Sequence, residues 1–556
     1  SKGWIMTIGS GAFLIPFYSL NFFSGTNPSL PIFEMAFSNP NTLFYLSSSL
    51  SKRLSSPNLK LPDVCATLTK LSGSNLRVGL ISDPYLEAIK DISGDNPLGK
   101  FIFDNYPKLP KSTIDSLQML PSFIPRRINL LTTAILKVYL SSKVNPPEGW
   151  RGYIWDSLEI DRKIAFEEEG LKRFNRERVS YAFQILCVLM DSLKEEVKRR
   201  GAEIKSFYLP TPIGYISFGS TKTDTFPNSI IVVDAGGDDY YNGVKIGLDF
   251  SGNDVYNGNI AFALFDIGAF LDLGGDDSYD GEFVGSAFFG YSILMDFDGD
   301  DNYKCKVFCL GAGYNGGSIT IDLSGNDSYY SISKAQGFGW VGGVGILADV
   351  QGNDVYRLED SVLYFPSPQS PKHNTSLGQG MGFGERRDFL NGASLGGGLG
   401  ILLDISGDDR YFSHVFSQGS GYWLGIGVLY DGGGNDEYSG VWYSQGASAH
   451  FGIGVLYDLS GDDVYYSSLS TSQGVGHDFS YGILFDGGGN DIYKCGNLCL
   501  GSGSAQGVGI FWDLDGNMKT SISGKGLGFE SPSADSTSFR FYFPTKGFVC
   551  KGKSCP

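Results

Sequence analysis

The sequence predicts a mainly β protein: a β-solenoid (parallel β-helix) of about eleven coils of roughly 27 residues, with an N-terminal α-helical domain. Three observations predict it. One aspartate-bearing element recurs eleven times after residue 213. Its spacing settles to a constant period, because Asp404, Asp431, Asp458, Asp486 and Asp513 follow one another at about 27 residues, as do Asp322 and Asp349. The composition, 77 glycines with only 19% charged residues, excludes both a helical bundle and a disordered acidic tail.

In chain order, residues 1–205 read as a mainly helical capping domain, 206–524 as the solenoid and 525–556 as a C-terminal cap or tail. Trp4 to Phe23 is a stretch without charge, long enough to cross a bilayer on length alone. Gly9, Gly11, Pro16 and Asn21 interrupt it, so a buried element is the preferred reading and membrane contact through residues 4–23 the alternative. Ser1 in place of an initiating Met reads as a processed or trimmed start. A helix is predicted over Arg126–Ser141 from Ile128, Leu131, Ile135 and Val138. A longer one is predicted over Asp161–Arg200, from apolar residues at threes, fours and sevens between Ile164 and Val197. Lys198, Arg199 and Arg200 complement its C-terminal dipole and Gly201 ends it. Glu167, Glu168 and Glu169 are expected on its solvated face.

The repeat is clearest in Tyr411 to Tyr438, YFSHVFSQGSGYWLGIGVLYDGGGNDEY, which ends in D-x-x-G-[DN]-D-x-Y. Each unit holds a short alternating strand such as Gly425 to Asp431, a turn rich in Gly, Asn and Asp, and an aromatic β-favouring stretch. Such a unit buries its apolar face only by stacking on its neighbours. Glycines are expected to allow close coil packing and positive φ at the corners. A β-propeller is the rival, but its blades need about 40 residues. The first intervals, from Asp234 to Asp249, Asp272 and Asp296, are shorter than the later ones and predict narrower early coils. The helical domain is expected to cover the first open edge, and the tail the last.

Stacking aligns equivalent positions into columns. The first aspartates are Asp234, Asp249, Asp272, Asp296, Asp322, Asp349, Asp404, Asp431, Asp458, Asp486 and Asp513. The second are Asp239, Asp254, Asp277, Asp301, Asp327, Asp354, Asp409, Asp436, Asp463 and Asp491. Neighbouring carboxylates one coil apart repel by about 1 kcal/mol in water and more in a protein. Calcium between coils would offset this, since it takes six to eight oxygens. The alternative is that each Asp caps its own turn. The tyrosines from Tyr241 to Tyr493 read as stacked packing. Gln336, Gln418, Gln445 and Gln473 stand at one constant offset before Asp349, Asp431, Asp458 and Asp486, and are expected to form a glutamine ladder.

The eight cysteines suit four disulfides, Cys65 with Cys187, Cys305 with Cys309, Cys495 with Cys499 and Cys550 with Cys555, and hence an oxidising compartment. Zinc at these cysteines is disfavoured, because the two C-x3-C pairs lie many repeats apart with no histidine close to either.

The turn Gly433-Gly-Asn-Asp-Glu-Tyr438 resembles half of the calcium-binding nonapeptide repeat of RTX proteins, though the period here is about 27 residues and not nine. Residues 213–516 look more like poorly characterised bacterial envelope or secreted proteins with tandem units of the form QG-x-G … G-x-G-[IV]-L-x-D-x-x-G-[DN]-D-x-Y. That resemblance implies the fold and a surface location, and no established activity.

One unit breaks the period, because the interval from Asp349 to Asp404 is double the usual one. Two insertions account for it, about Leu358 to His373 and about Glu385 to Gly396, and they supply the binding-loop candidates His373, Glu385, Arg387 and Asp388. The net charge of −17 argues against nucleic acid as the main partner. No nucleotide loop, H-E-x-x-H or G-x-S-x-G context stands out. The expected function is a secreted or cell-surface structural or adhesive protein, not an enzyme. It would be calcium-stabilised and associate with itself, as a surface layer or filament, or with other surface components. The alternatives are a carbohydrate-active β-helix enzyme and a glycan-binding protein.

Overall fold

The computed structural model describes residues 30–74, 120–388, 390, 393–531 and 545–551. The fold is a parallel β-solenoid of about ten turns with an N-terminal helical region. The chain divides into two compact units, one holding residues 57–309 and 315–325, the other the segments 1–56, 310–314 and 326–556.

In the unit of residues 57–309 and 315–325, the strands Ile267–Asp272, Tyr291–Asp296 and Gly317–Asp322 pair in parallel, with Asp272, Asp296 and Asp322 in register. The predicted helix at Arg126 is present as Arg126–Ser142. The long helix is broken in two, Ile160–Arg173 and Arg176–Arg200. Phe174 leaves the helical region to pack on Phe289, ring centroids 5.6 Å apart, and Asn175 restarts the helix by accepting the Arg178 N–H at 3.0 Å. A good N-cap therefore overrides a continuous apolar stripe. Glu167 is not solvated: it is buried and accepts the Tyr153 hydroxyl at 2.6 Å, while Glu168 is exposed and Glu169 pairs with Arg173. Gly201 keeps right-handed helical angles and leads into the short turn Gly201–Glu203, so it supplies no left-handed stop.

The helices of this unit lie along the flank of the coils. Phe183 stacks on Tyr291, Phe166 lies against Phe288, and a Cβ on Gly201 would come within 3.5 Å of Ala235. The first coil, where the helical domain was expected as a cover, meets a hairpin: Phe207–Thr211 pairs antiparallel with Gly214–Phe218, which pairs in parallel with Ser229–Val233. Cys65 is bonded to Cys187, tying the Leu61–Leu71 helix to Arg176–Arg200.

In the other unit, six strands ending at Asp349, Asp404, Asp431, Asp458, Asp486 and Asp513 pair in parallel with those aspartates in register. Lys546–Lys551 adds to the last of them. Parallel coil-on-coil pairing excludes the propeller, whose blades are separate four-stranded sheets. Ile426–Asp431, within the stretch read as a short alternating strand, is buried on both faces. Tyr430, Tyr457 and Phe485 form an outward column on the face opposite the aspartates. The helices Pro31–Ser38 and Asn41–Leu54 cover it: Phe44 packs edge-on against Tyr457 at 5.3 Å, Phe37 against Tyr481 at 5.1 Å, and Ser48 and Ser51 hydrogen-bond Tyr430.

Close approach in the turns requires glycine, as expected. A Cβ on Gly461, at φ +155°, would lie 1.5 Å from the Gly434 carbonyl oxygen of the preceding coil. Glycines take positive φ at the corners as expected, Gly337, Gly380, Gly419, Gly446 and Gly474 at 73–79°, and the glutamine before each, Gln336, Gln379, Gln418, Gln445 and Gln473, takes a left-handed φ of 52–59° as well. Among the described residues no helix is long and apolar enough to cross a membrane; residues 4–23 lie outside the described residues.

Candidate metal columns

All twenty paired aspartates of the two columns are at most 3% exposed. Their oxygens are divided between two tasks. In most of the first column, as at Asp249, Asp272, Asp431 and Asp486, Oδ1 accepts the backbone N–H two residues on, from Gly433 to Asp431 at 2.8 Å and from Gly488 to Asp486 at 2.9 Å. That is the self-capping turn. In the second column, Oδ1 reaches across to the neighbouring coil: Asp409 N–H donates to Asp436, Asp436 N–H to Asp463, and Asp239 N–H to Asp254, at 2.6–2.7 Å. The Asp and Asn residues just before the second column repeat this on the exposed side, as when Asp462 N–H donates to Asn435 Oδ1 at 3.0 Å. The second carboxylates are therefore inter-coil staples, a role the own-turn alternative did not contain.

The tyrosines stack as expected, with ring centroids 4.8 Å apart and planes within 6° from Tyr411 through Tyr438 and Tyr465 to Tyr493. Their hydroxyls do more than pack. All but Tyr493, which donates back to Asp486, donate to the first aspartate of the following coil: Tyr411 to Asp431 Oδ2 at 2.7 Å, Tyr438 to Asp458 at 2.9 Å, Tyr356 to Asp404 at 2.7 Å, and Tyr279 to Asp296 at 2.7 Å. The fixed spacing between Asp and Tyr in D-x-x-G-[DN]-D-x-Y was the available signal for this pairing.

What remains is one oxygen on six of the second aspartates. Oδ2 of Asp239, Asp277, Asp409, Asp436, Asp463 and Asp491 is buried without a hydrogen-bond donor. These oxygens face the first column, so that Asp234, Asp239 and Asp249 bring three carboxylates within 4.8 Å of one another, as do Asp254, Asp272 and Asp277, and Asp277, Asp296 and Asp301. Such clusters of buried aspartates could hold a metal ion. Burial, and then the neighbouring Asp431 charge, push Asp409 up to about 8 and Asp436 up to about 10; burial and Asp272 push Asp254 up to about 8. Burial thus favours the protonated carboxyl at these positions, and a cation would favour the ionised one. Asp513 shows the pattern by exception, because Met518 stands in register with Asp491, and both Asp513 oxygens lack a donor.

The glutamines form a staple and not a simple amide ladder. Gln418 Nε2 donates to the carbonyls of Tyr411 at 3.1 Å and Ser439 at 3.0 Å, and Gln445 to Tyr438 at 3.2 Å and Tyr466 at 2.8 Å. An amide-to-amide bond joins Gln379 to Gln336, at 3.2 Å. The accepting carbonyls lie on strands of successive coils, Arg410–Phe412, Glu437–Ser444 and Val464–Ser472, so each amide bridges two coils.

The local disulfides Cys305–Cys309 and Cys495–Cys499 are formed, and Cys550 is disulfide-bonded; Cys555, its expected partner, lies outside the described residues.

The structure does not bring the four binding-loop candidates into one set. His373 meets Asp360 at 2.6 Å in the first insertion. Glu385 accepts the Trp340 indole N–H at 2.9 Å and pairs with the buried Arg387 at 3.3 Å. Asp388 pairs with Arg386 at 3.1 Å. Sequence reasoning missed Arg386, which lies within 3.0 Å of both His450 ring nitrogens, and His450, which pairs with Asp478. Burial pushes Asp478 up, but the His450 hydrogen bond and the charges of His450, His477 and Arg386 outweigh it and hold the carboxyl below its ordinary value.

No family model, curated protein or solved structure matches the chain.

Proposed function

We propose that this chain is a secreted or cell-surface structural protein, adhesive or self-assembling, of the kind its tandem-repeat resemblance implies. The observation that carries this reading is where the repeated polar side chains go: the Asp, Tyr and Gln columns are buried and bond coil to coil, so the repeat encodes a scaffold. A scaffold of this kind presents many equivalent flanks and turns over no substrate. Its partners are further copies of itself or other surface components, and not nucleic acid. The disulfides fit a non-reducing compartment, in keeping with an extracellular location.

The columns also support a stabilising cation. Orphaned Oδ2 atoms of Asp239, Asp277 and Asp436 fit a divalent ion by charge. Three carboxylates per gap fall short of the six to eight oxygens calcium takes, so calcium would bind with the Tyr hydroxyls or water completing its shell.

Sedimentation and negative-stain imaging of the purified chain, with calcium and with chelator, test the assembly reading; ordered arrays or filaments are expected. A glycan-directed activity is the second reading, favoured by the Arg386, His450 and Asp478 cluster beside Asp388. A strictly monomeric protein that cleaves a glycan, with activity lost in Glu385→Ala or Asp388→Ala, would replace the first reading by the second.

A further inference from the structure

The chain has four histidines, and two of them, His373 and His414, converge on one carboxylate. Asp360 Oδ2 lies 2.6 Å from His373 Nδ1 and 3.2 Å from His414 Nδ1. One donor atom from each of the three residues lies within 4.8 Å of the others. Two come from the insertion and the third from the next coil.

Asn374 builds the insertion into a fixed loop. Its side-chain N–H groups donate to the Glu359 and Val362 carbonyls at 2.8 and 2.7 Å, and its Oδ1 accepts the Phe365 N–H at 2.8 Å. Its own N–H donates to Asp360 Oδ1 at 2.5 Å, which leaves Oδ2 to face the imidazoles. On the adjoining coil, His414 N–H donates to Ser376 Oγ at 2.9 Å, and His414 Nε2–H donates to the Leu358 carbonyl at 3.0 Å.

That last bond sets the tautomer. With its proton on Nε2, a neutral His414 presents the bare Nδ1 lone pair to a carboxylate oxygen, and two lone pairs 3.2 Å apart repel. His373 can satisfy Asp360 with an Nδ1 proton but can do nothing for His414. A cation between the three atoms satisfies all of them. An imidazole whose other ring nitrogen donates to a backbone carbonyl is also the usual outer-shell arrangement of a metal-bound histidine.

We propose that Asp360, His373 and His414 form a site for a borderline divalent transition-metal ion, Zn2+ in the first instance. Two imidazoles and one carboxylate suit zinc, with nitrogen and oxygen ligands at about 2.0–2.2 Å, and do not suit calcium, which takes oxygen. Tetrahedral zinc sets ligand atoms about 3.3 Å apart. The Asp360–His414 distance already matches, and the Asp360–His373 distance opens by less than about 1 Å on metal binding. The side chains are 16%, 31% and 20% exposed for Asp360, His373 and His414, which leaves the fourth position to water. The ion pins the insertion to the coil beside it. The donor set shares nothing with the aspartate columns, so this site does not rest on their cation.

The test uses the full chain with its disulfides intact, freed of metal by chelator and titrated calorimetrically with Zn2+ alone, then with Co2+ as a spectroscopic probe. One Zn2+ per chain is expected, unaffected by excess calcium and weakened at least about tenfold in His414→Ala and in His373→Ala, but unchanged in His477→Ala. Co2+ is expected to give the visible bands of a four-coordinate nitrogen and oxygen site, absent in His414→Ala. Absence of saturable uptake, uptake equal in the native chain and both variants, or loss only in His477→Ala would each overturn the site. If His414→Ala does not fold, Asp360→Asn, which keeps an acceptor for the Asn374 N–H, must show the same tenfold loss; unchanged affinity there overturns the proposal as well.

Discussion

The aspartate columns and the insertion between Asp349 and Asp404 use similar acids under opposite conditions. In the columns the residue is repeated and buried, and each carboxylate but the last, Asp513, is tied to a tyrosine hydroxyl, its own turn or the neighbouring coil. In the insertion the residues occur once, stand half-buried, and gather histidine around Asp360. Repetition turns a carboxylate into architecture, because every copy must satisfy the same neighbours above and below. Departure from the period releases residues from that constraint. The insertion, not the conspicuous repeat, is therefore where specific chemistry has room.

The largest expected effect concerns the columns as a set. Asp254, Asp409 and Asp463 are raised to about 8, and Asp277 and Asp436 to about 10, from a usual 3.8. The folded chain therefore holds more protons than the unfolded chain over that range. Metal-free stability is full below about pH 4 and falls as pH rises through 8 to 10. A drop in Tm of about 10 °C or more between pH 5 and pH 9, relieved by divalent cation, is expected in thermal scans. A flat profile would show that the columns store no protons, and would remove the contrast with the insertion.

At a single site, Asp436→Ala removes the acceptor of the Asp409 N–H and leaves a buried donor unpaired, at a cost of about 3 kcal/mol. Asp436→Asn keeps that acceptor and removes the proton uptake that Asp436 requires on folding at pH 8, so its denaturant midpoint there without metal should equal or exceed that of the native chain. Equal losses in both would mean that the carboxylate acts by shape alone.

Tyr438→Phe keeps the ring stack but deletes the hydroxyl that donates to Asp458 at 2.9 Å, so a loss of about 1 kcal/mol is expected. Because Asp458 also receives Tyr465, the measured value reports how far a neighbouring donor compensates.

The smallest effect belongs to the insertion. His373→Ala in metal-free protein should change unfolding free energy by no more than about 0.5 kcal/mol, since the side chain is about one-third exposed and away from the coil interior. A loss comparable to that of Asp436→Ala would make the insertion part of the core and erase the distinction.

Much of this was legible in the sequence because a fixed period is itself a statement about register. The regular recurrence of D-x-x-G-[DN]-D-x-Y determined a parallel stack, the aspartate and tyrosine columns and the close turns at glycine, since each coil can bury its apolar face only on a copy of itself. Spacing also determined the local cysteine pairs. Tertiary structure alone decided what periodicity cannot carry. It broke the predicted long helix at Asn175, because an N-cap and a ring contact outweighed an unbroken stripe. It buried Glu167 on a tyrosine and laid helices over the Tyr430, Tyr457 and Phe485 face. It also brought Asp360, His373 and His414 together from an insertion and a neighbouring coil. Those contacts join segments with no shared period, and their energy depends on which surfaces meet once the coils have stacked.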